Sequence, residues 1–230
     1  MDKRAPNLAL SRLLQLASPM LPVGAYSYSQ GMEWAVESGD VCDLYSALGW
    51  IGDALDIYMG RYELPLLYRM AQAWQADDAV VIRQLDAYFQ SGRDSAESYA
   101  ETRQMGYSLS RLLNALEALP QDFVAKINAL EEPAFPTIYA GIVHAWGIPQ
   151  HEMLQAYAWS WIENQVSAAM KTVPLGQVAG QKILLTLGSA LPRVVEQAMR
   201  LPDCEISNCA PGLTIAGCRH ETQYSRLFRS

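Results

Sequence analysis

The sequence predicts an all-α protein, a single multi-helix domain carrying an extended C-terminal tail. Apolar residues recur at helical spacing over most of the 230 residues, and no stretch sustains the alternation that marks a strand. Helix-starting and helix-stopping residues fall at the ends of the periodic segments.

The first predicted helix runs from Leu8 to Ala17 and stops at Ser18, because a residue before proline is pushed out of the α region. From Leu14 to Met32 no residue is charged. Pro19, Pro22 and Gly24 interrupt that run and Ser, Tyr and Gln side chains punctuate it, so it does not suit a membrane span. A packed elbow between two helices fits better. Ser27 with Gln30 has the spacing of a capping box for a helix from Tyr28 to Ser38, and Gly39 stands where a left-handed stop falls. Met32, Ala35 and Val36 would face the core, while Glu33 and Glu37, spaced i and i+4, share a face with no cation between them.

Asp43 and Asp78 mark the starts of helices over Leu44 to Met59 and Ala79 to Gln90, with Leu64 to Trp74 between them. Ala96 to Leu119, Asp122 to Leu130 and Thr137 to Trp146 follow, the last closed by Gly147 and Pro149. His151 to Thr172 is a long helix in which Trp159 and Trp161, two positions apart, cannot share a face. Pro174 and Gly176 separate it from Gln177 to Leu187, and Ser189 to Arg200 completes the set. The domain is expected over 1–201 and the tail over 202–230.

Half the residues are hydrophobic, 18% are charged and the net charge is −7. A sizeable core is affordable, and the charged fraction lies below the about 25% of ordinary soluble domains, which leaves apolar surface for a partner. The acidic balance excludes a nucleic-acid binder, since phosphate contacts need clustered Lys and Arg. Lys3 and Arg4 ahead of apolar residues suggest a signal peptide, but Arg12 splits the hydrophobic region and no small-residue cleavage site follows. A cytoplasmic protein with reduced Cys42, Cys204, Cys209 and Cys218 is expected.

No catalytic pattern emerges. Gly176, Gly180 and Lys182 lack the spacing and the preceding strand of a phosphate loop. His151-Glu152 and His220-Glu221 have Gln155 and Tyr224 where a zinc protease needs its second histidine. No nucleophile elbow is present. Neither a cofactor nor a metal site is expected, although Cys204, Cys209, Cys218 and His220 supply the right ligand types for an alternative, an all-α metal-binding protein, at spacings that match no familiar zinc module.

Three charged residues sit inside otherwise apolar blocks: Glu33 after the elbow, Lys171 at the end of an Ala-rich turn, and Arg226 between Tyr224 and Phe228. Each also has a plain reading: a surface carboxylate, a cation at a helix C-terminus, a solvated tail residue. The tail joins Tyr224, Leu227 and Phe228 to Arg219, Arg226 and Arg229, a mixture typical of interfaces except for its leucine. A tail folded back on its own domain is the alternative.

The segments LPVGAYSYSQGMEWAVE (21–37), WSWIENQVSAAMKTVPLGQ (159–177) and RHETQYSRLFRS (219–230) together resemble the urease accessory protein UreF family, in the family's order along the whole chain. The resemblance implies an all-helical, homodimeric, non-enzymatic chaperone for nickel insertion. It would join UreD (UreH in some species) and the GTPase UreG on apo-urease and couple the GTP state to metallocentre assembly. Glu33, Lys171 and Arg226 would then face the GTPase. Tyr224, Leu227, Phe228 and Arg229 would be ordered on binding a neighbouring subunit.

Overall fold

The structure, a computed structural model, describes residues 5–230, with side chains from Leu8 onward; Lys3 and Arg4 lie outside them. Among the described residues the chain is helical throughout: α1 (Ala5–Ala17), α2 (Met32–Glu37), α3 (Leu44–Asp53), α4 (Leu64–Gln75), α5 (Ala79–Ser91), α6 (Ala96–Leu116), α7 (Gln121–Asn128), α8 (Phe135–Ala145), α9 (Gln150–Thr172), α10 (Gln177–Arg200) and α11 (Pro211–His220).

Helix α9 is the axis of the fold. It touches α1, α2, α3, α4, α8 and α10, so its core cannot be a single stripe, and a helix surrounded on most sides is apolar on most sides. Ala158, Ile162, Val166, Ala168 and Ala169 are all buried, and the alanines let the neighbouring helices come close. Its longest contact is with α10. A β-carbon at Gly188 of α10 would lie 3.0 Å from the Trp159 ring, so glycine gives this ring room at the helix contact. Around this pair α4 packs on α5 and α8, and α8 on α6.

Local chemistry sets most limits as expected. Asp43 accepts from the Ser46 N–H at 2.8 Å while the Ser46 hydroxyl accepts from the Asp43 N–H, a complete capping box. Asp78 accepts from the N–H groups of Val80 and Val81. Gly39 closes α2 at φ +85°.

Four details differ from the expectation. Gly188 does not divide the last long helix: residues 177–200 are one helix, with Pro192 exposed on its outer side. The segment after α3 is not an α-helix to Met59 but a π-helical turn, Ala54–Glu63, running directly into α4. This widened turn buries Tyr62 and Glu63 together. Ser27 and Gln30 do not cap a helix: the Ser27 hydroxyl donates to the Gly24 carbonyl at 2.6 Å, and α2 begins only at Met32. Finally, residues 202–230 are extended only in part; they include α11, and the chain returns to the helical body.

A buried carboxylate joins α5 to α8. Asp86 accepts from the Thr137 hydroxyl at 2.5 Å, the Ala134 N–H at 2.9 Å and the Gln90 amide at 2.6 Å. Stranding buried donors costs about 1–3 kcal/mol each. Asp86→Ala should therefore destabilise the chain by about 2 kcal/mol or more, read as a lower denaturant midpoint at unchanged slope.

Candidate functional site

After α10 the chain crosses the π-helical turn, where the Ser207 N–H donates to the Arg61 carbonyl at 3.0 Å. The Asn208 amide donates to the Gly92 carbonyl at 2.9 Å. Helix α11 then lies on α2. This approach depends on Gly31, whose φ of +83° favours glycine and whose added β-carbon would lie 3.0 Å from both the Ala216 methyl and the Gly217 nitrogen.

Beyond α11, three carboxylates receive the returning chain. Glu33 of α2 is buried; it accepts from the N–H groups of Leu227 at 2.6 Å and Phe228 at 3.0 Å, and pairs with His220 Nε2 at 3.1 Å. Glu97 of α6 takes the other face of the ring, His220 Nδ1, at 2.7 Å, and also pairs with Arg226. Glu101, one turn further along α6, accepts from the Ser230 hydroxyl at 2.9 Å. His220 is fully buried between its two partners.

The elbow supplies the remaining contacts. The Ser230 carbonyl accepts from the N–H groups of Ser29 at 2.5 Å and Gln30 at 3.0 Å, and the Arg229 N–H donates to the Ser27 carbonyl. Gln30 sits at φ +53°, unusual for a residue with a side chain. That backbone aims its amide at a junction: Nε2 donates to Glu101 at 2.6 Å, while Oε1 accepts from Trp161 Nε1 at 2.6 Å and Gln165 Nε2 at 3.3 Å. Asn164 donates to the Tyr28 carbonyl at 3.1 Å. Behind this junction Arg93 lies 4.1 Å over the Phe89 ring and 3.5 Å from Glu63, which accepts from the Tyr157 hydroxyl at 2.5 Å. Gln30, Arg93 and Glu101 together separate two small cavities of about 60 and 70 Å³.

Burial pushes the Glu101 carboxyl up to about 7, against hydrogen bonds from Gln30 and Ser230 that act the other way. Burial likewise raises the hydroxyls of Tyr58 and Tyr157 well above the ordinary phenol.

The residues singled out from sequence separate into inner and outer groups. Glu33 is enclosed and its oxygens are occupied by the chain itself. Lys171 is exposed, its ammonium 5.3 Å from the Phe228 ring centroid. Arg226 is partly exposed beside Glu97. Tyr224, Leu227 and Arg229 point outward, whereas Phe228 is buried in its own chain. Glu97, Glu101 and Gln30 were not singled out; Glu97 and Glu101 do carry a sequence signal, an i, i+4 carboxylate pair with no cation between. The four cysteines are exposed thiols. Among the described residues no group of three or more His, Cys, Asp or Glu side chains could hold a metal ion, and no helix is long and apolar enough to cross a membrane.

Fold and site together define an all-helical protein whose buried polar cluster fixes a segment of its own chain and leaves aromatic and cationic side chains outside. The chain belongs to the UreF family, whose model matches residues 41–188. It is 61% identical to the urease accessory protein UreF of Methylobacillus flagellatus, over 96% of this chain and 98% of that one. The proteins of the same name from Azoarcus sp. and Dechloromonas aromatica are 54% and 52% identical, each over 97% of this chain and over 96% and 98% of their own lengths.

Two outcomes follow from this geometry. In Glu33→Ala two backbone N–H groups and His220 lose their acceptor, and trypsin should cut after Arg226 and Arg229 at least about tenfold faster, since such losses exceed 1.4 kcal/mol. The far-UV spectrum should stay helical. For Glu101 the folded carboxyl lies above its ordinary value of 4.5, so the native state holds the extra proton. The stability this supplies is full below about pH 4.5 and is lost as pH rises through about 7. Between about pH 6 and 8.5 the wild type should lose on the order of 1–2 kcal/mol that Glu101→Gln does not lose, measured by urea unfolding at each pH.

Proposed function

We propose that this chain is a urease accessory protein that acts in the cytoplasm as a non-enzymatic scaffold. It joins UreD (or UreH) and the GTPase UreG to apo-urease, as a homodimer, and couples the GTP state of UreG to nickel insertion. The observation that supports this reading is that three segments distant in sequence are tied together through the elbow: residues 219–230 dock on Ser27 to Gln30, which is itself held by Trp161, Asn164 and Gln165 of α9. A scaffold transmits a partner's nucleotide state only through differential binding, and that requires a surface of fixed shape.

Lys171 and Arg226 form the cationic part of the surface that meets the GTPase, and Glu33 serves it from beneath by holding the backbone between them. Tyr224, Leu227 and Arg229 meet a neighbouring subunit, with Phe228 as their anchor, and that contact orders the exposed side chains of the docked tail. Self-association has its own support. Exposed Leu10, Leu14 and Leu185 line a groove between α1, α9 and α10, an apolar patch of the kind that marks interaction sites.

Light scattering on the chain alone should give twice the monomer mass, and mixing with UreD and UreG should give a larger assembly that depends on all three and responds to GTP with magnesium. Lys171→Ala and Arg226→Ala should each weaken UreG capture by about fivefold to tenfold, with helical content unchanged. Capture of UreG by both variants at wild-type strength would remove the assignment of these two residues. A chain that stayed monomeric and alone under every condition would remove the scaffold reading.

A further inference from the structure

His220 is the one charge-bearing group of the tail that lies wholly inside the protein, and both of its ring nitrogens face carboxylates: Nε2 is 3.1 Å from Glu33 and Nδ1 is 2.7 Å from Glu97. An ionised carboxylate only accepts, and an imidazole carries two N–H groups only as the cation. Two hydrogen bonds across this three-membered chain therefore need two protons, wherever each proton resides. With one proton, a nitrogen lone pair must face an oxygen lone pair at a ring that is itself fully buried.

The charged surroundings are few. From α2 Glu33 faces the ring, and from α6 Glu97 does, with Glu101 a turn beyond. From the tail Arg226 balances Glu97, and Glu221 accepts from the Glu97 backbone N–H at 3.2 Å. Lys171 of α9 stands over Phe228. On α11 itself Arg219 and Cys218 are exposed. Glu33 also carries the N–H groups of Leu227 and Phe228, so the ring and the tail backbone share one acceptor.

We propose that His220 is a proton-controlled clamp: holding two protons between Glu33 and Glu97 it fixes residues 219–230 on the body, and loss of one proton releases them. The clamp is a positioning device; its consequence for partner binding rests on the scaffold reading above, whereas the clamp itself belongs to the isolated chain. A tail released by rising pH would lose the fixed spacing of Tyr224, Leu227 and Arg229.

The test is hydrogen exchange of the Leu227, Phe228 and Arg229 amides in the full chain from about pH 6 to 9, expressed as protection relative to the unstructured peptide. It is run in the Glu101→Gln background so that Glu101 does not titrate. Beyond a midpoint, protection should fall about tenfold per pH unit, the slope of a single linked proton. His220→Gln in the same background should give lower protection with no such slope. Glu97→Gln removes one anion beside the ring and should move the midpoint to lower pH, a shift that a ring acting only as packing would not produce, and it serves as the test if His220→Gln does not fold. Flat protection in the parent, or an unmoved midpoint in Glu97→Gln, overturns the clamp. Because no partner is present, failure of the clamp leaves the scaffold reading standing, and failure of partner capture leaves the clamp standing.

Discussion

A carboxylate taken out of water must be given donors, and in this chain the donors for three of them come from the tail. Glu33, Glu97 and Glu101 lie on α2 and α6, which supply no cation of their own to the cluster. The backbone N–H groups of Leu227 and Phe228, the ring of His220, the guanidinium of Arg226 and the hydroxyl of Ser230 fill that need. The dependence is mutual. Without the tail the body would bury carboxyl groups short of donors, and without those carboxyls the tail would keep mainly Phe228 and the elbow's bonds to Arg229 and Ser230.

The junction at Gln30 ties this cluster to the axis of the fold. One amide side chain accepts from Trp161 and Gln165 and donates to Glu101, and its own backbone N–H is taken by Ser230. A left-handed residue with a side chain is tolerated only where its surroundings over-determine it, and here every polar group of Gln30 near the site has a partner. Rigidity has a use in this setting. A surface already held in its binding shape loses less freedom on association, so exposed Tyr224 and Leu227 are presented at lower entropic cost than on a loose strand.

Much of the helical framework was legible because it rests on local rules: Asp43 and Asp78 cap, Gly39 and Gly147 stop, and apolar spacing supplies the faces. What was not legible is tertiary. The Ser27 and Gln30 spacing suits a capping box, yet Gln30 is drawn away by Trp161 and Glu101, and the helix starts after Gly31 instead. Gly188 reads as a break, but on α10 it is the point of contact with Trp159. The π-helical turn has no local marker; its outcome is to place Tyr62 and Glu63 beside Arg93. At the site, Glu33, Lys171 and Arg226 were visible as charges stranded in apolar blocks. Glu97 and Glu101 carried a different signal, an i, i+4 carboxylate pair, in an ordinary polar helix where it does not stand out.

The split between inner and outer charges changes what each residue can do. Glu33 sits buried beneath the tail with both carboxylate oxygens engaged by the chain itself, so it acts on the surface by fixing the backbone of Leu227 and Phe228. Lys171, Arg219, Arg226 and Arg229 are all exposed on a chain whose net charge is −7, Arg226 beside Glu97. On an acidic chain, exposed cations are the groups that would steer an acidic partner in the scaffold reading. The exposed charge of the docked tail thus lies in the outer cations, and its shape rests on the inner carboxylates.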